Sequence, residues 1–326
     1  METAYLIETV IKIVVILLIF SALAGIGTYF ERKVLAFMQR RLGPMNVGPY
    51  GLLQVAADGI KLFTKEDIVP TNVVGRIFKI APVITAATAF MAAAAIPFLP
   101  SFTLFGYEVH PIVADINIGI LYILGIMGVG LYGPLLGGMA SANKFSLLSA
   151  ARGAAVFISY EVITGLSILA PIMMVGSLSL IDFNDYQIDN GWILWSQPVA
   201  FVLFWIAAFA ETGRTPFHLI ANDHEIIDGF GTEYSGMRWG LFFIGEYANM
   251  FFISFVIPLL FLGGYGDGSL LGALGLLAKV AFFFFFFLWT RAAWPDVRPD
   301  QLMWLCWKVL MPVAVLNILV TAIVMM

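Results

Sequence analysis

A chain of 326 residues that is 61% hydrophobic and 12% charged, with a mean hydropathy of +0.94, carries about half the charge of an average soluble chain, which excludes an ordinary water-solvated domain. Its formal net charge of −4 gives no sign of nucleic-acid binding. Its single cysteine, Cys306, excludes an intrachain disulfide and a four-thiolate iron–sulfur centre held by this chain alone.

A membrane-crossing helix needs about 20 mostly apolar residues. Eight stretches qualify in chain order: 9–30, 77–99, 112–139, 154–178, 193–211, 239–263, 270–290 and 304–325. The expected fold is an all-α integral membrane protein of about eight transmembrane helices, read as a single polytopic membrane domain over 1–326. No internal repeat, low-complexity tail or interdomain linker interrupts it. The first stretch carries Lys12 and is too long for a typical signal-peptide core, so it is read as retained. Pro134, Pro171 and Pro258 lie within spans, where neighbouring helices or waters satisfy the freed backbone groups. Lys and Arg number 13 in the loops after spans one, three, five and seven, and none in the loops after spans two, four and six. That asymmetry makes the first set cytoplasmic and puts both termini on the other side.

In the first cytoplasmic loop, Arg40 to Pro44 and Gly48-Pro49 are turn chemistry. Residues 50–65 then place Gln54, Asp58, Lys61 and Lys65 on one side of a helix and Leu52, Leu53, Ala56, Ile60 and Phe63 on the other. This is an amphipathic surface helix. The pattern fits a helix that only lies on the membrane, and equally one that walls off a site for an amphiphilic ligand.

Ionisable residues inside spans cost at least about 2.5 kcal/mol each on insertion scales, and so mark functional candidates. Glu161 lies inside span four, Glu211 ends span five, and Glu246 sits about two turns into span six. Asp115 opens span three, and Lys279 and Lys308 occupy spans seven and eight. The 212–238 loop adds Asp223, Glu225, Asp228 and Glu233. Taken singly, each has a plain structural reading. Glu211 and Arg214, three apart, fit a helix-end ion pair, and Lys279 and Lys308 fit interface anchors or packing partners. Taken together, Glu161, Glu211, Glu225, Glu233 and Glu246 point to function. Burial and arginine neighbours shift carboxylate pKa values in opposite directions, so such a row can hold and pass protons. His110, His218 and His224 lack the spacing of a metal site. The six phenylalanines 282–287 read as lipid-facing or packing residues. No phosphate loop, nucleophile elbow or HExxH is present, so the chain has no catalytic apparatus that would work unaided.

The loops carry a resemblance. ERKVLAFMQRRLGPMNVGPYGLLQVAADGIKLFTKED at 31–67, SANKFSLLSAAR at 141–152, ISYE at 158–161, AETGRTPF at 210–217 and GFGTEYSGMRW at 229–239 resemble the family of the quinone-site membrane subunit of NADH–quinone oxidoreductase, respiratory complex I. The likeness runs over essentially the whole chain, in the family's order and span count. It implies a bacterial inner-membrane subunit, not catalytic alone, at the junction with the peripheral arm. Its implied partners are the other membrane-arm and peripheral-arm subunits and the lipid bilayer. Quinone is the implied substrate of the complex, and no cofactor is bound by this chain alone.

By the same resemblance, Glu31, Arg32, Asp58, Lys61, Arg214, Phe217 and His218 fall at the quinone chamber or its entry, with Pro216 in the same loop. Glu161, Glu211, Asp223, Glu225, Glu233 and Glu246 fall on the proton pathway. One departure stands out. After Pro216-Phe217 the family usually reads Asp-Leu-Pro-Glu-Ala-Glu-x-Glu, whereas this chain has His218, Ala221 and Asp223 where three of those acids stand. The loop is thus poorer in carboxylates and carries two imidazoles, His218 and His224. The equivalent subunit of a membrane-bound hydrogenase or ferredoxin-linked oxidoreductase shares this fold and is the second reading. A stand-alone carrier would show paired half-repeats and broken midplane helices, which the sequence lacks.

Overall fold

The computed structural model describes residues 2–104, 107–109, 111–220 and 227–326. Hydropathy organises the chain into α1 (Glu2–Met38), α2 (Gln54–Thr64), α3 (Gly75–Ala92), α4 (Gly119–Ala140), α5 (Lys144–Val175), α6 (Leu180–Asn190), α7 (Ile193–Ser196), α8 (Pro198–Glu211), α9 (Gly236–Phe261), α10 (Leu270–Ala293) and α11 (Pro299–Met325). The last of these contains one π-helical turn, Cys306–Leu310. Seven helices, α1, α3, α4, α5, α9, α10 and α11, are long and apolar enough to cross a membrane, so the chain is a multi-pass membrane protein.

The expected fifth span is divided. Gln197 leaves helical geometry and Pro198 restarts the helix as α8, whose 14 residues rise about 21 Å, less than the roughly 30 Å hydrocarbon core. The break is held from outside: Gln197 donates to Thr321 Oγ1 at 2.9 Å and accepts from Asn317 Nδ2 at 3.1 Å, both on α11. The third span starts at Gly119 rather than 112. Among the described residues, the one β-structure is a short antiparallel ribbon, Phe102–Leu104 against Tyr107–Val109, in register Phe102↔Val109.

Helix ends follow local chemistry. Asn143 caps α5 by accepting from Phe145 N at 2.9 Å, and Gly176 closes it in the left-handed region at φ 75°. The surface helix α2 forms as expected, one turn shorter than the pattern that announced it.

The core is built around α9, whose residues from Tyr247 to Phe261 are almost all buried, against α1, α3 and α10. Close approach of α9 to α3 needs Gly245, because a Cβ there would stand 2.8 Å from Thr85 Cγ2. The loops expected to share one face meet at one end of the bundle. Val297 N donates to Pro216 O at 3.0 Å, Ser146 Oγ to Gly229 O at 3.0 Å, and Arg238 pairs with Asp67 at 2.8 Å. At the opposite end, Gln187 donates to Leu259 O at 2.8 Å, and Lys279 Nζ to Leu262 O at 2.6 Å and Gly264 O at 3.2 Å.

Candidate functional site

At the loop-rich end, five side chains from four segments form a buried knot. Glu31, on the last turns of α1, is 5% exposed, and Arg214, in the turn after α8, is 1% exposed. Arg214 Nη1 donates to Glu31 Oε2 at 2.9 Å, and Tyr247 OH donates to the same oxygen at 2.5 Å. Arg291, at the end of α10, pairs with Glu31 Oε1. Arg214 Nε lies 3.1 Å from Glu246 Oε1, and its guanidinium stands over the Tyr247 ring at 4.5 Å. Two cations thus face two anions, with Arg214 and Glu31 out of water and Arg291 and Glu246 each about one-third exposed, and the buried pair at the centre tolerates no missing partner. Burial works against the Arg214 charge. The Glu246 and Glu31 carboxylates outweigh it and hold the guanidinium above its usual range.

Two cavities open beside this knot. One is lined by Thr85, Glu211, Thr212, His218, Glu246 and Asn249 among others, and measures about 550 Å³ counted to its open mouth. The other is lined by Asp228, Trp239 and Arg291. Both share His218, Phe230, Phe242 and Glu246, so the two cavities adjoin, with Arg291 on the wall of one and Glu211 on the wall of the other. His218 Nδ1 lies 2.8 Å from Gly213 O. A carbonyl only accepts, so Nδ1 carries the hydrogen.

Glu211 is buried at the foot of α8 and pairs with no cation among the described residues. The expected pair with Arg214 does not form. The helix ends at Glu211, Gly213 turns at φ 61°, and the turn carries Arg214 across to α1 and α9. Glu161, on α5, is exposed on the surface of this chain. Its carboxyl lies against Gly128 of α4, where any side chain would collide with it.

Other expected site residues lie elsewhere. Arg32 and Asp58 pair at 2.6 Å, and Gln54 donates to Asp58 at 2.9 Å, tying α2 to α1 near the solvent. Lys61 stands one turn further on α2, exposed. Phe217 lines neither cavity: it is buried with its ring 5.3 Å from that of Tyr160. Glu233 accepts from Asn143 Nδ2 at 2.8 Å and serves the start of α5. Asp223, Glu225 and His224 lie outside the described residues. The sequence reading missed Tyr247, Arg291, Thr85 and Asn249 as parts of the site. Only Tyr247 and Asn249 carried a local signal, one and three residues after Glu246 on one helix.

The family model described as NADH dehydrogenase matches residues 11–322. The H-type subunit of the NADH-quinone oxidoreductase of Sulfurimonas denitrificans is 92% identical over 100% of both chains. The proteins of the same description from a Nitratiruptor species and from Wolinella succinogenes are 66% and 64% identical, over 100% and 99% of this chain and 99% of each relative.

Proposed function

The chain belongs to the NADH dehydrogenase family as a membrane subunit of NADH-quinone oxidoreductase, and from that premise we propose that the knot and its two cavities form the membrane side of the quinone chamber. Electrons reach the quinone from the peripheral arm, since a chain with one cysteine holds no iron–sulfur centre alone. Reduction to quinol takes up two protons with two electrons. Arg214 and Arg291 set a fixed positive potential at the chamber wall, balanced by Glu31 and Glu246. Charge changes on the bound quinone act on Glu246 through this low-dielectric surround, where they are felt more strongly than in water.

Protons then pass along Glu246, Glu211 and Glu161 toward neighbouring membrane subunits, with His218 between the cavities in place of a carboxylate. Asp223, Glu225 and Glu233 supply acids from the adjoining loop. Arg32, Asp58 and Lys61 mark the entry beside α2, and Phe217 shapes the wall by fixing its loop on Tyr160. The loop-rich end faces the cytoplasm, and both termini face the other side of the bacterial inner membrane.

The observation that carries this reading is Arg214: a fully buried cation, bridging Glu31 and Glu246, beside a cavity that leads to Glu211. Its test is quinone reductase activity in membranes carrying Arg214→Ala, with assembly checked on a native gel. Loss of quinone reduction with retained electron transfer to an artificial acceptor supports it. Normal quinone reduction in an assembled complex removes Arg214 from the site.

A further inference from the structure

Asn249 lies three residues beyond Glu246 on α9 and lines the same cavity as Glu246 and Glu211. Its amide oxygen is shielded from solvent and accepts no hydrogen bond from the described residues. A buried acceptor left bare is costly, about 1–3 kcal/mol, so a donor must reach it. Among the described residues, the side-chain hydrogens of the other lining groups are committed elsewhere. Thr85 Oγ1 donates to Ala81 O, Thr212 Oγ1 to Ala208 O at 3.0 Å, and His218 Nδ1 to Gly213 O at 2.8 Å. What remains is a water or a protonated carboxyl.

We infer that Asn249 is a positioning residue that holds a proton-bearing water between Glu246 and Glu211. The step it serves is a transfer of one proton from a Glu246-side donor to the water and of another from the water to the Glu211 carboxylate, with no net change at Asn249. The inference rests on the reading that these acids carry protons.

The test uses assembled complex in membranes, with NADH oxidation by an artificial acceptor as the measure of assembly. In Asn249→Leu, which fills the site without an acceptor, turnover with a short-chain quinone falls about ten-fold while KM stays within about two-fold. The drop is accompanied by a larger rate difference between H2O and D2O. Asn249→Asp keeps an acceptor oxygen and retains most of the turnover. Should the leucine variant fail to assemble, Asn249→Ala is read in the same way. Wild-type turnover in the leucine or alanine variant overturns the inference, as does equal loss in the aspartate variant, which would make Asn249 a packing residue. Glu211→Gln separates the two levels: if it turns over normally, the acid pathway itself fails, and if it collapses while Asn249→Leu does not, only the role of Asn249 fails.

Discussion

Glu31 and Arg214 stand 183 positions apart in the chain and meet as a buried ion pair, Nη1 to Oε2 at 2.9 Å. Neither is near solvent, so their contribution is asymmetric: the pair intact is close to neutral in energy, while removal of either partner leaves the other with only a partly exposed counter-charge in low dielectric. Glu31→Gln is therefore expected to cost about 3–5 kcal/mol, mostly through Arg214, because Arg291 is one-third exposed and can be hydrated. The check is thermal denaturation of the purified complex together with its yield on a native gel. A melting temperature unchanged from wild type would mean that Glu246 alone compensates the Arg214 charge.

Arg32, the residue after Glu31, pairs with Asp58 of α2, and this pair behaves differently. Their side chains are 47% and 31% exposed, so water and salt screen them, and Arg32→Gln is expected to cost no more than about 1 kcal/mol. The same melting experiment at low and high salt distinguishes the two pairs. The Arg32 effect shrinks with salt, and the Glu31 effect does not.

The contrast between these neighbours explains what the sequence made legible. Hydrophobic length is a local property, and it located the spans. The 3.6-residue period put Gln54 and Asp58 on one face of α2, where they are in fact bonded. Partner choice is not local. Glu211 and Arg214 had the spacing of a helical pair, but that rule holds only while the helix continues, and Gly213 ends it. Arg214 then found Glu31 and Glu246, and Arg291 reached Glu31 from 260 residues away, which no spacing could announce. The break at Gln197 was invisible to hydropathy for a related reason: its polar groups are satisfied by α11, far along the chain.

The Arg214 charge also sets a pH expectation. Its folded-state pKa is raised by Glu246 and Glu31, so its stabilisation is full at every pH at which the unfolded arginine is protonated, and is lost only at more alkaline pH. The difference in melting temperature between wild type and Arg214→Gln is accordingly flat from about pH 7 to pH 10. A difference that shrinks across that window would show that a group with a lower pKa governs the knot.

Lys279 provides a control at the other end of the bundle. Its ammonium caps the carbonyls of Leu262 and Gly264 after α9 and lies 5.2 Å from the Trp192 ring centre. Lys279→Met leaves those carbonyls without their donor and is expected to destabilise by about 1–3 kcal/mol. Quinone turnover per assembled complex stays at the wild-type level, because the residue lies at the end of the bundle away from both cavities. A turnover defect without a stability defect would place Lys279 in the proton route instead.

Gly128 tests the last acid of the row without touching its charge. The Glu161 carboxyl occupies the space where a side chain on residue 128 would stand, so Gly128→Ala forces Glu161 to move or the two helices to part. The blocking atoms are the end of a flexible, exposed side chain, so the shift costs less than overpacking a closed core, about 1 kcal/mol or below. The displaced carboxyl no longer keeps its relation to Glu211, so the number of protons moved per electron falls in vesicles carrying the variant while electron transfer to an artificial acceptor is kept. Glu161→Gln in the wild-type background gives the same phenotype if the carboxyl is what matters. If Gly128→Ala pumps normally while Glu161→Gln does not, Glu161 works without its fixed position. If both pump normally, the row ends at Glu211.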